Sequence, residues 1–148
     1  MLLPLGLFIY YLRLVPNVSL GEIFLQSTSW IPSLGVNLDF KLDGLSLLFA
    51  LLITGVGAAV YFYPRTYLKG HPYFVLFFVY LSLFMSAMLG MVLSDNMLLL
   101  FIFWELTSIS SFFLIGFNNS ELSSRKSAVT ALSITGMGGI FPLGGIIL

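Results

Sequence analysis

A single carboxylate, Glu105, lies near the middle of the apolar run from Met97 to Phe117. A helix rises about 1.5 Å per residue, so Glu105 lies roughly 12 Å from the start of that run. If the run crosses a bilayer, this position is close to the midplane. An acidic side chain at that depth costs about 2.5–3.5 kcal/mol on insertion scales. We therefore expect Glu105 to have a function.

The chemistry open to Glu105 depends on its neighbours, which are mostly apolar. Four apolar side chains fall within about 40° of it on a helix, and Ser108 falls at about 60°. No Lys, Arg or His occupies a mid-membrane position in this chain. A low dielectric disfavours the ionised carboxylate and a nearby cation favours it, so such a group can take up and release a proton. The candidate supporting residues are Trp104, Thr107 and Ser108. The alternative is a protonated Glu105 that hydrogen-bonds a neighbouring helix.

The composition excludes an ordinary soluble domain. Of 148 residues, 59% are hydrophobic and 8% are charged, against about 25% charged in soluble domains. We predict an all-α polytopic protein in the lipid bilayer, since several apolar runs approach the roughly 20 residues of a span. There is no cysteine and one histidine, His71, so neither a metal site nor a bound cofactor is expected. The zero net charge gives no indication of nucleic-acid binding.

The apolar runs predict about four full transmembrane helices after a partial one. The expected boundaries are a partial segment at 1–16, an extracytoplasmic loop at 17–44 and one membrane part, 45–148, with spans at about 45–63, 73–93, 97–117 and 128–148. No basic residue precedes the first apolar run, which argues against a cleaved signal peptide and favours a clipped span. The last run stops without a polar residue, so we expect the chain to be a fragment.

The loop at 17–44 carries the pattern of a β-hairpin. Val36 to Asp43 alternates apolar and polar residues, which is typical of a half-buried strand. Pro32 to Gly35 is a predicted turn, and Ser27 to Ile31 is a candidate partner strand. An irregular loop is the alternative.

Small and polar residues mark expected helix contacts and helix starts. Two sets of small residues favour close helix packing. Ser46 is expected to help cap the span at 45–63, and Asp95 or Asn96 the span at 97–117. The glycines of Thr135 to Ile140 either allow close packing or open the helix to an ion; a phosphate-binding loop is disfavoured because no strand precedes them. The two small-residue sets are Thr54, Gly55 and Gly57, and Ser82, Ser86 and Gly90.

The basic residues predict the orientation. Loops 64–72 and 118–127 each carry two Lys or Arg, whereas loop 17–44 carries one Lys and three acids, and loop 94–96 has none. The positive-inside rule makes the first two loops cytoplasmic and the other two extracytoplasmic. Arg13, beside the hairpin loop, goes against the rule.

Three motifs in this order resemble a known family. They are Asp43-Gly-Leu-Ser-Leu-Leu-Phe49, Met88-Leu-Gly-Met-Val-Leu-Ser-Asp-Asn96 and Phe103-Trp-Glu-Leu-Thr-Ser108. Together they resemble the A-type subunits of the Mrp-type multisubunit Na⁺/H⁺ antiporters, which are related to chain 5 (also called NuoL-like) of respiratory complex I. The complex I protein typically has Gly-Trp-Glu-Gly-Val-Gly around the glutamate and Thr-Arg-Val-Gly-Asp in the next span. This chain has Thr135-Gly-Met-Gly-Gly139 there, so both departures favour the Mrp branch, and that acidic residue has no counterpart here.

The resemblance implies part of a secondary transporter and not a redox enzyme. It implies that Glu105 is a proton-pathway residue, paired with a lysine on a later helix that this chain does not reach. It also implies partners: the other subunits of an antiporter complex, with H⁺ and Na⁺ as transported ions. Two alternatives remain open, a proton-translocating subunit of complex I and a structural membrane scaffold in which Glu105 only joins helices.

Overall fold

The computed structural model describes residues 2–64, 70, 72–117 and 121–148. Within them, five helices are long and apolar enough to cross a membrane, and two antiparallel strands form a small hairpin. This confirms the predicted helical membrane fold with a β-hairpin. The helices are α1 (Leu2–Ser19), α2 (Gly44–Phe62), α3 (Phe74–Leu93), α4 (Met97–Ile115) and α5 (Leu122–Ile147), and the strands are β1 (Phe24–Ile31) and β2 (Val36–Leu42).

The first and last helices differ from the sequence prediction. Helix α1 is 18 residues long and qualifies as a full span, whereas the sequence predicts a partial one. Helix α5 has 26 residues and begins at Leu122, before the apolar run that starts at Ala128. Hydropathy detects the apolar part of a helix and not the polar turns that extend beyond it. Helix α5 also continues through its glycines and Pro142, because backbone groups in hydrocarbon have no water to bond and strongly favour a helix.

The two predicted basic loops are described only in part. Most of loop 64–72, with His71, lies outside the described residues, and so do the first three residues of loop 118–127. The rest of the second loop forms the first turns of α5.

The hairpin follows the predicted alternation. Phe24 of β1 pairs with Leu42 of β2, and the ladder runs to Ile31 opposite Val36 with one irregularity near the turn. Gly35 closes the turn with φ 67°, in the left-handed region that glycine enters without strain. Strand β1 begins three residues before the predicted start at Ser27, and Asp43 lies beyond the end of β2.

Backbone hydrogen bonds attach the hairpin to the α3–α4 turn. The Asp95 N–H donates to the Asp39 carbonyl at 2.9 Å, and Phe40 forms an isolated antiparallel bridge with Ser94. The ring of Phe40 also lies 6.2 Å from that of Phe103 in α4. The hairpin and the α3–α4 turn therefore lie at the same end of the bundle.

Polar side chains cap the helices that follow the hairpin and that turn. The Asp43 carboxylate accepts a hydrogen bond from the Ser46 N–H at 2.9 Å, so Asp43 is the cap of α2 and Ser46 is its backbone donor. This hydrogen bond is the main cause that lowers the pKa of Asp43, with a smaller contribution from Lys41, whose Nζ lies 3.6 Å away. Asn96 caps α4 by accepting from the Leu98 N–H at 2.9 Å, and Asp95 does not.

Consecutive helices pack against one another, each on the next in the sequence. Glycines provide close contacts: a Cβ built on Gly55 would lie 3.2 Å from the Phe8 ring, and one on Gly57 would lie 2.9 Å from the Met85 sulfur. Gly90 lies under the ring of Phe103. These contacts confirm the predicted role of the three glycines. Ser86, however, is exposed, because the neighbouring Ala87, with no exposed area, takes the buried position.

Candidate functional site

Glu105 lies on the side of α4 that faces α5. Helix α4 packs between α3 and α5. Phe103 points to α3, where its ring covers Gly90. Two residues along a helix correspond to about 200° of rotation, so Glu105 points the other way. Its side chain meets α5 at Gly139.

The contact between Glu105 and Gly139 is direct. A Cβ built on Gly139 would overlap Oε1 of Glu105, and it would lie 3.2 Å from Cδ and 3.9 Å from Oε2. Gly139 is buried and Glu105 is half-buried. The carboxylate thus occupies the space that a side chain at position 139 would fill, against the backbone of α5.

Among the residues that the structure describes, no hydrogen bond or ion pair to the Glu105 carboxylate is found. The basic residues of α5, Arg125 and Lys126, lie near its start. Lys126 is about 20 Å along the helix from Gly139 at 1.5 Å per residue. An uncompensated carboxylate at this depth is costly in its ionised form. In the described part of the chain, the carboxylate can therefore take up a proton but has no cation to hold its charge.

The predicted supporting residues use their hydroxyl groups on their own helix. Thr107 donates to the Trp104 carbonyl at 2.6 Å, and Ser108 donates to the same carbonyl at 3.2 Å. Ser108 is buried, with 3% of its surface exposed, whereas Trp104 is 37% exposed. Thus Ser108 and Thr107 stabilise the conformation of the turn that carries Glu105 and give it no hydrogen bond.

Gly139 is the neighbour of Glu105 that sequence reasoning missed. One sign of it was available, since Gly139 stands where the related complex I motif has an acidic residue. Its contact with Glu105 depends on how α4 and α5 pack, which one sequence does not encode in any local pattern. In the described residues, no three His, Asp or Glu side chains come together as metal ligands would.

Two family models match consecutive parts of the chain. Residues 30–78 match the N-terminus of chain 5 of NADH-ubiquinone oxidoreductase (complex I). Residues 94–148 match the transmembrane family of NADH:quinone oxidoreductase and Mrp antiporters. The second match contains Glu105, its three predicted supporting residues and Gly139.

Curated proteins and solved structures point to the same family. The chain is 48% identical over 146 residues to the A1 subunit of the Na⁺/H⁺ antiporter of Staphylococcus haemolyticus, covering 99% of this chain and 18% of that protein. It is also 48% identical over 145 residues to the A1 subunit of Staphylococcus aureus (strain JH9), covering 98% and 18%. A chain in the structure of the Mrp complex from Dietzia sp. DQ12-45-1b superimposes with a TM-score of 0.73 at 33% identity, over 94% of this chain and 15% of that one.

The chain thus spans 18% of the length of the curated relatives. Within that part, the fold, both family models and the identity agree with the resemblance seen in the three motifs. The chain belongs to the family of antiporter-like membrane subunits that Mrp antiporters and complex I share, and within it to the A-type subunits of the antiporters.

Proposed function

We propose that this chain is part of a membrane subunit of a multisubunit monovalent cation/proton antiporter, in which Glu105 carries a proton at mid-membrane. One observation carries the proposal: the Glu105 carboxylate lies between α4 and α5, against Gly139, half-way along a helix long enough to span a bilayer. The relatives whose names include Na⁺/H⁺ antiport support Na⁺ and H⁺ as the transported ions.

The missing positive charge is the second part of the proposal. An ionised carboxylate in a low dielectric needs a compensating cation. We assign that cation to a lysine in the part of the subunit outside this chain, as the family resemblance implies. When the lysine is close, the ionised form of Glu105 is favoured. When the lysine turns to another partner, Glu105 binds a proton, so movement of one charge is coupled to movement of the other.

The orientation follows from the same end of the bundle being shared by the hairpin and the α3–α4 turn. The basic loops 64–72 and 118–127 belong to the opposite side, which the positive-inside rule assigns to the cytoplasm. Loops 17–44 and 94–96 are then extracytoplasmic. The lipid bilayer and the other subunits of the complex cover the apolar surface that the helices expose, and transport needs no bound cofactor.

The test is Glu105→Gln in the full-length protein within the assembled complex. The amide keeps the shape of the side chain but cannot bind and release a proton at neutral pH. We expect Na⁺-driven changes of ΔpH in everted membrane vesicles to be lost, while the complex still migrates normally on a native gel.

Glu121→Gln is the matched control. Glu121 is exposed, precedes α5 and makes no capping hydrogen bond to the helix, so the same chemical change there should leave antiport intact. If Glu105→Gln assembled normally and transported like Glu121→Gln, Glu105 would only join helices, and the scaffold alternative would replace the proposal.

A further inference from the structure

Helix α5 contains several glycines, and they differ in what lies beside them. A Cβ added at most of them would meet open space, with nothing within 4 Å. Only at Gly139, among the described glycines of this helix, would a Cβ meet another side chain, and that side chain is the Glu105 carboxylate. The glycines with open space are Gly136, Gly138, Gly144 and Gly145.

We propose that Gly139 is a positioning residue for Glu105: its missing side chain forms a seat on α5 in which the carboxylate lies. The proposal rests on the proton-carrying function of Glu105. The seat holds the carboxylate between two helices instead of letting it turn along α4 toward lipid or toward the hydroxyl of Ser108. It fixes the point in the membrane at which the carboxylate can reach its proton donor and acceptor.

The chemistry of the contact predicts which part of the protein would move. The atom that a Cβ at position 139 would overlap is Oε1, the far end of a flexible side chain. Rotating Glu105 relieves the overlap without separating the helices. Alanine also favours a helix more than glycine does. A methyl group at position 139 should therefore displace the carboxylate and leave the fold intact.

The displacement matters because proton transfer has a short reach. A donor and an acceptor exchange a proton at about 2.6–3.2 Å, directly or through one water. Misplacing a reacting group by about 1 Å can slow a reaction by about 100-fold. Removing the overlap between a Cβ and Oε1 requires a shift on that order, so the loss should be seen in transport and not in assembly.

The experiment compares Gly139→Ala with Gly138→Ala in the full-length protein within the assembled complex. Both substitutions add one methyl group to the same turn of α5, and the second meets open space. We expect Gly138→Ala to transport normally. We expect Gly139→Ala to assemble normally, to lose antiport by about 10-fold or more and to change the pH dependence of the remaining rate. A role in helix packing alone would not change that pH profile.

A rescue variant completes the test. Glu105→Asp shortens the side chain by one methylene, so alone it should withdraw the carboxylate from the seat and lower antiport. Combined with Gly139→Ala, the shorter carboxylate no longer overlaps the added methyl group. The double variant should therefore transport better than either single variant. If Gly139→Ala does not assemble, the double variant decides: restored assembly and transport support the seat, and failure of either overturns it.

The outcomes separate the two proposals. If Glu105→Gln abolishes antiport but Gly139→Ala matches Gly138→Ala in rate and pH profile, the seat is wrong and the proton-carrying role of Glu105 stands. A double variant no better than the single ones also overturns the seat. If Glu105→Gln keeps full antiport, the proposed function fails, and the seat fails with it.

Discussion

Gly90 in α3 offers a test of how tightly the helix that carries Glu105 is packed. The ring of Phe103 in α4 covers Gly90, and a Cβ built there would lie 2.5 Å from Cδ1 and 2.6 Å from Cζ. Unlike a carboxylate tip, an aromatic ring is rigid, and this one has the ring of Phe40 on another side at 6.2 Å. In Gly90→Ala the ring must move or the two helices must separate.

Two opposing effects determine the stability of Gly90→Ala. Forcing a methyl group into a packed contact costs about 1–3 kcal/mol, and replacing glycine by alanine in a helix gains about 1 kcal/mol. Gly57→Ala separates these effects. Its Cβ would lie 2.9 Å from the sulfur of Met85, a flexible side chain that can turn away. Since the helix term is the same in both variants, Gly90→Ala should be less stable than Gly57→Ala by about 1–3 kcal/mol.

The measurement is the free energy of unfolding of the full-length protein, titrated with SDS in detergent micelles. A double-mutant cycle with Phe103→Leu isolates the contact, because the smaller side chain makes room for the methyl group. We expect a coupling energy of about 1–3 kcal/mol, in the range found for touching residues. Equal stability of Gly90→Ala and Gly57→Ala, or a cycle without coupling, would refute the packing argument.

Two further predictions concern the hairpin end of the bundle. Asp43→Ala should destabilise the protein by about 1 kcal/mol at neutral pH through loss of the helix cap, and Asp43→Asn should cost less because asparagine also caps. The hydrogen bond from the Ser46 N–H lowers the pKa of Asp43, so its stabilisation is complete above the unfolded pKa of about 3.9 and is lost as the pH falls through the folded value. Thermal unfolding at neutral and acidic pH should therefore show less acid sensitivity for Asp43→Asn than for the native protein; equal sensitivity would exclude this role. For orientation, Ser29→Cys and Glu121→Cys in a protein without other cysteines should differ: an impermeant thiol reagent added to intact cells should label only the first, and the reverse pattern would invert the assigned topology.

The spans and the hairpin were predictable because each leaves a pattern in the local sequence. A bilayer requires long apolar runs, and a half-buried strand alternates with a period of two. Details that depend on one residue were less accessible. Asp95 and Asn96 are both suitable cap residues, and only the backbone geometry selects Asn96. The start of α5 at Leu122 was missed because its first turn is polar and gives no hydropathy signal.

The candidate site was only half visible in the sequence. Glu105 stood out because a carboxylate in an apolar run is costly wherever the helices go. The side of α4 on which it meets a neighbour is not encoded by periodicity, since apolar residues surround it in every direction. Gly139 could not be identified from its own surroundings, where glycine is common. Ser108 was expected to assist the carboxylate, but the nearby Trp104 carbonyl takes its hydrogen bond, as hydroxyls in helices often do.

The attachment of the hairpin to the α3–α4 turn has a consequence for biosynthesis. A β-hairpin forms in about 1–10 μs, whereas a ribosome adding about 5–20 residues per second needs about 3–10 s to proceed from Leu42 to Ser94. The strands, held by the packing of Leu42 against α1 and α2, are therefore complete before the turn is made. When the α3–α4 pair inserts, Ser94 and Asp95 meet a finished strand edge at Phe40 and Asp39. The hairpin thus acts as a template that fixes how deep the newly inserted pair, with Glu105 in its second helix, sits in the bilayer.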